Sequence, residues 1–419
     1  MSAAPAGSGW QVVRLLSAPH RLGFFAAALV FAASGLWWAG VWIAGAMGLP
    51  PAWAVPPAAA HAVFMSLGFM PLFVTGFWFT AGPRWLGLPG IDARSLLWPA
   101  GAMLLSWGLA VAGFHASAWL AALGLALGAA AWTALCWRFT TMLRRSRADD
   151  RLHASGVTLA CWAGAAAWWV AAGAAAMEQI NVLRSASIFA LWGFAATVFT
   201  VASHRMLPFF EGGAPGWLEA LPPRWLLVAL CGALWVEGVF SVASLWWQPW
   251  PRGVLWSRVV LDASVGGLLL GLAGRWALMH SLRIRLLAML HAGLLWLAVS
   301  FGLAAVSGAM LALSDGHASL GLAPVHALTM GYLGTTLMAM AARVVSGHSG
   351  RPVVADATLW ALHWALQVGV LSRVIGSVWP AASSLFIAVA ALVWAAVATA
   401  WAWRYGRWLG QPRADGRSP

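Results

Sequence analysis

Two histidines open two apolar segments of the chain in the same way. His61-Ala62-Val63-Phe64-Met65 lies far upstream of His326-Ala327-Leu328-Thr329-Met330. In each, a methionine stands four residues on, one helical turn below the histidine. Gly68 and Gly334 follow about two turns below. An imidazole nitrogen is a good ligand for haem iron, and two imidazoles from different helices can clamp one porphyrin. Small residues on the ligand face would leave room for its plane. The competing reading is that such a histidine anchors a helix end at an interface, and that glycines only let helices pack closely. The repeated H-A-x-x-M at matching depth, and the rarity of titratable groups at such places, favour ligation.

A second set of residues lies elsewhere. Thr197, Thr200 and His204 stand at i, i+3 and i+7, one polar stripe on a helix. The segment that His326 opens continues past Arg343 to a Gly347-His348-Ser349-Gly350-Arg351-Pro352 turn. His204 and His348, with His363 and His291 near them in depth, could build a second metal site. It would hold either another haem or a copper, with Met206, Met338 or Met340 as soft ligands for Cu(I). The alternative is that histidines beside arginines contact lipid headgroups and the methionines fill gaps. Among the charges inside apolar segments, Arg373 could pair with a haem propionate or snorkel to the surface. Glu237 could join a proton path or pair with an arginine. Arg258 and Asp262, four apart, read as a structural pair.

The elements that must position these residues follow from composition. Hydrophobic residues make up 62% of the 419 and charged residues only 8%, too few to cover a soluble surface. Apolar runs of about 20 residues recur along the whole chain, the length that crosses a ~30 Å hydrocarbon slab. The runs are continuous rather than alternating, which excludes a β-barrel. The expectation is an all-α polytopic membrane protein with about twelve transmembrane helices. They run near residues 24–46, 58–81, 95–112, 117–137, 155–177, 187–206, 225–245, 254–275, 286–311, 324–343, 359–378 and 382–403. His61, His204 and His326 fall on helices 2, 6 and 10, a spacing that suggests three four-helix arcs. The chain reads as a single integral membrane domain over residues 1–419. It has a cytoplasmic N-terminal segment (1–22) without signal-peptide character and a polar, disordered C-terminal tail (405–419).

The net charge of +13 comes entirely from arginine, with no lysine. The arginines sit between apolar runs rather than in a patch, so they report topology and not nucleic-acid binding. With twelve helices, every arginine except Arg184, Arg252, Arg258 and Arg373 falls on one side. That side is the cytoplasm, and both termini lie there. His61, His326 and Arg373 then sit near the outer leaflet, and His204 and His348 near the inner one. His348 is a full membrane thickness from His326 and cannot share its site. Cys136, Cys161 and Cys231 show no CxxC spacing and read as packing residues.

Three stretches together carry a family resemblance. They are His61 to Ala81 with Gly82-Pro83-Arg84-Trp85; Ala202-Ser203-His204-Arg205-Met206-Leu207-Pro208-Phe209-Phe210; and His326-Ala327-Leu328-Thr329-Met330-Gly331 through Arg343 with Gly347 to Pro352. Over most of its length the chain resembles the NnrS family. The resemblance implies a haem- and copper-containing protein of the bacterial inner membrane, from denitrification regulons and associated with tolerance of nitric oxide. It also implies a twelve-helix arrangement distantly like the catalytic subunit of haem–copper oxidases, a likeness of fold that does not transfer activity. The departures are specific. Helix 10 has no His-x-His and helix 7 has no histidine, so reduction of oxygen or nitric oxide by the oxidase mechanism is not supported.

The reading that follows is an inner-membrane haem b protein of the nitric oxide or nitrosative stress response. It would bind nitric oxide, carry electrons or protect iron centres. His61 and His326 would be axial ligands, Arg373 a propionate partner, and His204 and His348 part of a copper or second metal site. With both axial positions filled, the haem would transfer electrons rather than bind gas, unless one histidine leaves. The partners expected are nitric oxide or a related small ligand, the lipid bilayer and a respiratory electron-transfer protein. The alternatives are a metal-free twelve-helix secondary transporter and an assembly partner of a respiratory complex.

Overall fold

The computed structural model of the chain describes residues 9–206, 223–279 and 282–416. The Leu207–Phe210 end of the second motif, His280 and Arg417 lie outside them. No strand occurs among the described residues. Among the described residues, twelve helices are long and apolar enough to cross a membrane: α1 (Pro19–Ala46), α2 (Pro57–Trp85), α3 (Ala93–Ala116), α4 (Ala118–Arg145), α5 (Leu152–Ala176), α6 (Ile180–Met206), α7 (Arg224–Ala243), α8 (Arg252–Ala277), α9 (Arg285–Leu313), α10 (Ala323–His348), α11 (Ala357–Val378) and α12 (Pro380–Leu409). Each of the twelve expected helices corresponds to one of these. The chain is a multi-pass helical membrane protein.

Local chemistry explains several starts. Pro19, Pro57 and Pro324 stand in the first turns of α1, α2 and α10, where a missing N–H costs nothing. Asp356 caps α11, its carboxylate accepting the Leu359 N–H at 3.0 Å.

Three helices depart from the regular rods expected. α2 is interrupted between Leu67 and Met70. Pro71 has no N–H to donate to the Leu67 carbonyl, so the ladder fails one turn above it. α6 and α10 each contain a π-helical stretch, at Ala190–Ala196 and Ala327–Gly334. Such widened turns are rare and recur at functional sites. In addition α10 does not stop at Arg343. It continues to His348, which is therefore helical rather than part of a turn. Gly350, at φ +69°, follows its end.

The described chain forms two compact units. The first comprises residues 1–187, 341–354 and 398–419; the second comprises 188–340 and 355–397. In the first unit α1 and α2 cross closely at Gly23 and Gly76, where a Cβ on Gly23 would lie 2.5 Å from the Gly76 Cα. The C-terminal segment is bonded into the same unit rather than loose. Gln11 N–H donates to the Gly410 carbonyl at 2.8 Å, and Ala414 N–H to the Ser349 carbonyl at 2.8 Å. In the second unit α8 and α9 pack as a hairpin, with Gly308 against Val259.

Candidate functional site

His61 lies in the first unit, in the second turn of α2. Its ring stacks on Trp38 of α1 with centroids 4.1 Å apart and planes 28° apart. The segment before α2 is held by His115, at the end of α3. His115 Nδ1–H donates to the Ala52 carbonyl at 2.9 Å, and Nε2 accepts the Trp37 indole N–H at 2.9 Å. Both nitrogens are thereby engaged, which makes His115 a structural staple. The Ala54 and Val55 N–H groups donate to the Phe114 carbonyl at 2.8 and 3.1 Å. This network fixes the chain just ahead of the turn that carries His61.

His326 lies in the second unit, in the first turn of α10. Its Nδ1–H donates to the Leu322 carbonyl at 3.0 Å. A carbonyl can only accept, so the neutral ring keeps its lone pair on Nε2, the tautomer and bracing typical of metal-ligating histidines. The helix start is itself held, since Ser300 Oγ donates to the Pro324 carbonyl at 2.8 Å.

α10 and α11 run antiparallel beside one another. A Cβ on Gly369 would lie 3.8 Å from Met330 Cε, and one on Gly321 would lie 3.8 Å from the Ser377 carbonyl oxygen. These contacts bring Arg373 level with His326. Arg373 Nη1 donates to Ser377 Oγ on its own helix.

Below that level a polar network crosses the apolar interior of this unit. Trp296 Nε1 donates to Gln367 Oε1 at 2.6 Å, and Gln367 Nε2 donates to Thr335 Oγ1 at 3.1 Å. His363 Nδ1 lies 3.4 Å from the same Gln367 nitrogen and accepts from it. Tyr332, in the π stretch of α10, meets Thr200 Oγ1 at 3.3 Å. In α6 the Thr197 hydroxyl donates to the Trp192 carbonyl at 2.9 Å, inside the widened turn. The sequence reading missed Gln367, Thr335, Trp296 and Tyr332. The available signal was Gln367 itself, a lone amide in an apolar helix, one turn from His363.

A Cβ on Gly334 would come 3.0 Å from the Trp394 indole, and one on Gly68 2.8 Å from the Phe64 ring. These glycines admit neighbouring aromatic rings and do not clear space for a porphyrin.

Of the second set, His204 belongs to the second unit and His348 to the first. His204, buried at the end of α6 in the second unit, lies with Nε2 3.4 Å from the Pro223 carbonyl. His348 lies in the first unit, and its ring neighbour there is His20, at a centroid distance of 4.2 Å. The His348 Nδ1–H donates to the Val344 carbonyl at 3.0 Å, and its own carbonyl accepts from Arg413 at 3.3 Å. Arg21 and Arg84 act electrostatically on His20, and Arg84, Arg413 and Arg21 on His348. Outside the helices, burial draws the Arg351 guanidinium down from its usual value, while hydrogen bonding to Asp415 holds Arg413 up. Among the described residues no three of His, Cys, Asp or Glu converge as a metal cage. The two imidazoles of His20 and His348, set among arginines, do not suit a copper cation.

A family profile described as NnrS protein matches residues 14–413, nearly the whole chain. No curated protein and no solved structure matches the sequence.

Proposed function

The chain belongs to the NnrS family, and on that premise we propose that it is a haem b protein of the nitric oxide response. Membership fits a nitric-oxide-response membrane protein, and the finer reading rests on His326. Its Nδ1–H is bonded to the Leu322 carbonyl, so Nε2 carries the lone pair an iron would need. Arg373 stands level with it and would pair with a propionate. His61, stacked on Trp38 within the first unit, is the other histidine proposed as a haem ligand. When bound, the haem would supply one-electron transfer or a binding position for nitric oxide. The protein's own part is to hold the His326 imidazole in one tautomer and to neutralise a carboxylate in an apolar setting. The transporter reading gains no support from the fold.

The full chain purified in detergent tests this through its reduced-minus-oxidised visible spectrum. A b-type spectrum is expected, lost or shifted in His326→Ala and His61→Ala. Absence of a Soret band in the wild-type protein overturns the haem assignment. A spectrum unchanged in both variants moves the site elsewhere. Nitric oxide added to the reduced protein then separates gas binding from electron transfer.

A further inference from the structure

Between α7 and α8, inside the second unit, one arginine faces two carboxylates. Arg258 Nε donates to Glu237 Oε2 at 3.0 Å, and Arg258 Nη2 donates to Glu237 Oε1. This is the bidentate fork that satisfies a guanidinium best. The Ser241 hydroxyl, one turn on, bonds to Glu237 as well. Arg258 also lies over the Phe240 ring, 5.7 Å from its centroid.

Asp262 is left over. It is fully buried at 0% exposure, and its Oδ2 comes only to 3.6 Å from Arg258 Nε. Neither of its oxygens has a hydrogen-bond partner. α9 brings no charge to it. Gly308 and Val259 meet on one side of its level and Gly266 and Ala298 on the other, and α9 carries only apolar and small residues between them. Among the described residues, the charged groups that act on Asp262 are Arg258 and Glu237.

The charges do not balance if all three groups are ionised. An arginine stays protonated under any ordinary condition, so two carboxylates would leave one uncompensated negative charge in an apolar interior. Buried carboxyls in that position take up a proton instead. Glu237 is the anion that Arg258 stabilises, because it holds both guanidinium bonds. Asp262 has a weak ion contact, no hydrogen bond and no water-facing surface.

We propose that Asp262 is a proton-binding site within the membrane domain, a carboxylic acid held neutral beside the Arg258–Glu237 pair. The pair acts as its switch. Any change that withdraws Glu237 from Arg258 hands the guanidinium to Asp262 and releases the proton.

Two measurements on the full chain in liposomes test it at neutral pH. Infrared spectroscopy should show a protonated-carboxyl C=O band that shifts in D2O. The band should vanish in Asp262→Asn, where the carboxyl is gone. It should also vanish in Glu237→Gln, where Arg258 is free to pair with an ionised Asp262. Dicyclohexylcarbodiimide, which adds to protonated carboxyls in apolar sites, should leave its adduct mass on the peptide containing Asp262. No C=O band in the wild-type protein, or a band that survives Asp262→Asn, overturns the proposal. An adduct on Glu237 instead would place the proton on the wrong partner and overturn it too. Labelling suppressed by sodium chloride but not by choline chloride would make the occupant a metal cation rather than a proton. Asp262→Asn should keep its elution profile and thermal midpoint, so loss of the band cannot be assigned to misfolding.

Discussion

The rings of His20 and His348 lie 4.2 Å apart, centroid to centroid, with their planes inclined by 48°. His20 is 3% exposed, and neither of its ring nitrogens has a hydrogen-bond partner. A buried polar group left unsatisfied costs about 1–3 kcal/mol. His20→Phe removes that cost and keeps ring contacts to His348 and Phe24. The variant should unfold in detergent at the wild-type temperature or slightly above it. A drop of several degrees would show that the imidazole nitrogens hold something in place there.

The C-terminal segment depends on Gly350. Its φ is +69°, and an added Cβ would come 2.6 Å from Asp415 Cγ. Gly350→Ala therefore meets both backbone strain and a clash, together about 1–2 kcal/mol. Asp415 would be displaced, and with it the Arg413 side chain that reaches the His348 carbonyl. Limited proteolysis should then cut the segment after Leu409 faster than in the wild type. Equal rates would mean that the segment is held by other bonds, such as that from Arg351 to Gln411.

Gln367 joins three helices through one amide. Gln367→Leu would strip Trp296 Nε1 of its acceptor and Thr335 Oγ1 of its donor. Leaving one buried donor unpaired costs about 1–3 kcal/mol. A fall in the thermal midpoint of several degrees is expected, with Gln367→Glu less damaging because it still accepts from the indole. Unchanged stability in the leucine variant would count against a structural network.

The number and placement of the helices were legible in the sequence because each crossing needs about 20 apolar residues and little else competes for such a run. The interruption of α2 was equally written in Pro71, whose missing N–H acts locally. The π stretches were not legible. A widened turn depends on what packs beside it, and Trp192 and Tyr332 meet partners distant in the sequence. The same limit undid the reading of Gly334. Its open face looked like room for a cofactor until Trp394, sixty residues on, proved to fill it. Gly347 to Pro352 looked like a turn by composition, yet the helix runs through His348, with Ser349 N–H donating to the Val345 carbonyl at 3.0 Å. Glu237 offered two readings, and the structure chooses the pairing with Arg258, an arginine 21 residues on, on the next helix.

Arg373 offers the sharpest separation between a cofactor partner and a snorkelling anchor. It stands level with His326 on the neighbouring helix, and beside the proposed haem its positive charge would favour the reduced, less positive iron. Removing it should lower the midpoint potential. At about 10 Å and an effective dielectric of about 20, one unit charge contributes roughly 1.7 kcal/mol. For a one-electron couple that corresponds to about 70 mV. Arg373→Gln should shift the potential down on this scale in a redox titration, and Arg373→Lys should restore most of it. An arginine that merely reaches the outer surface would leave the potential unmoved in both variants. The Ser377→Ala variant completes the comparison, since it removes the hydroxyl that Arg373 touches while leaving the charge. A shift in Arg373→Gln that Ser377→Ala does not reproduce would tie the effect to the charge itself.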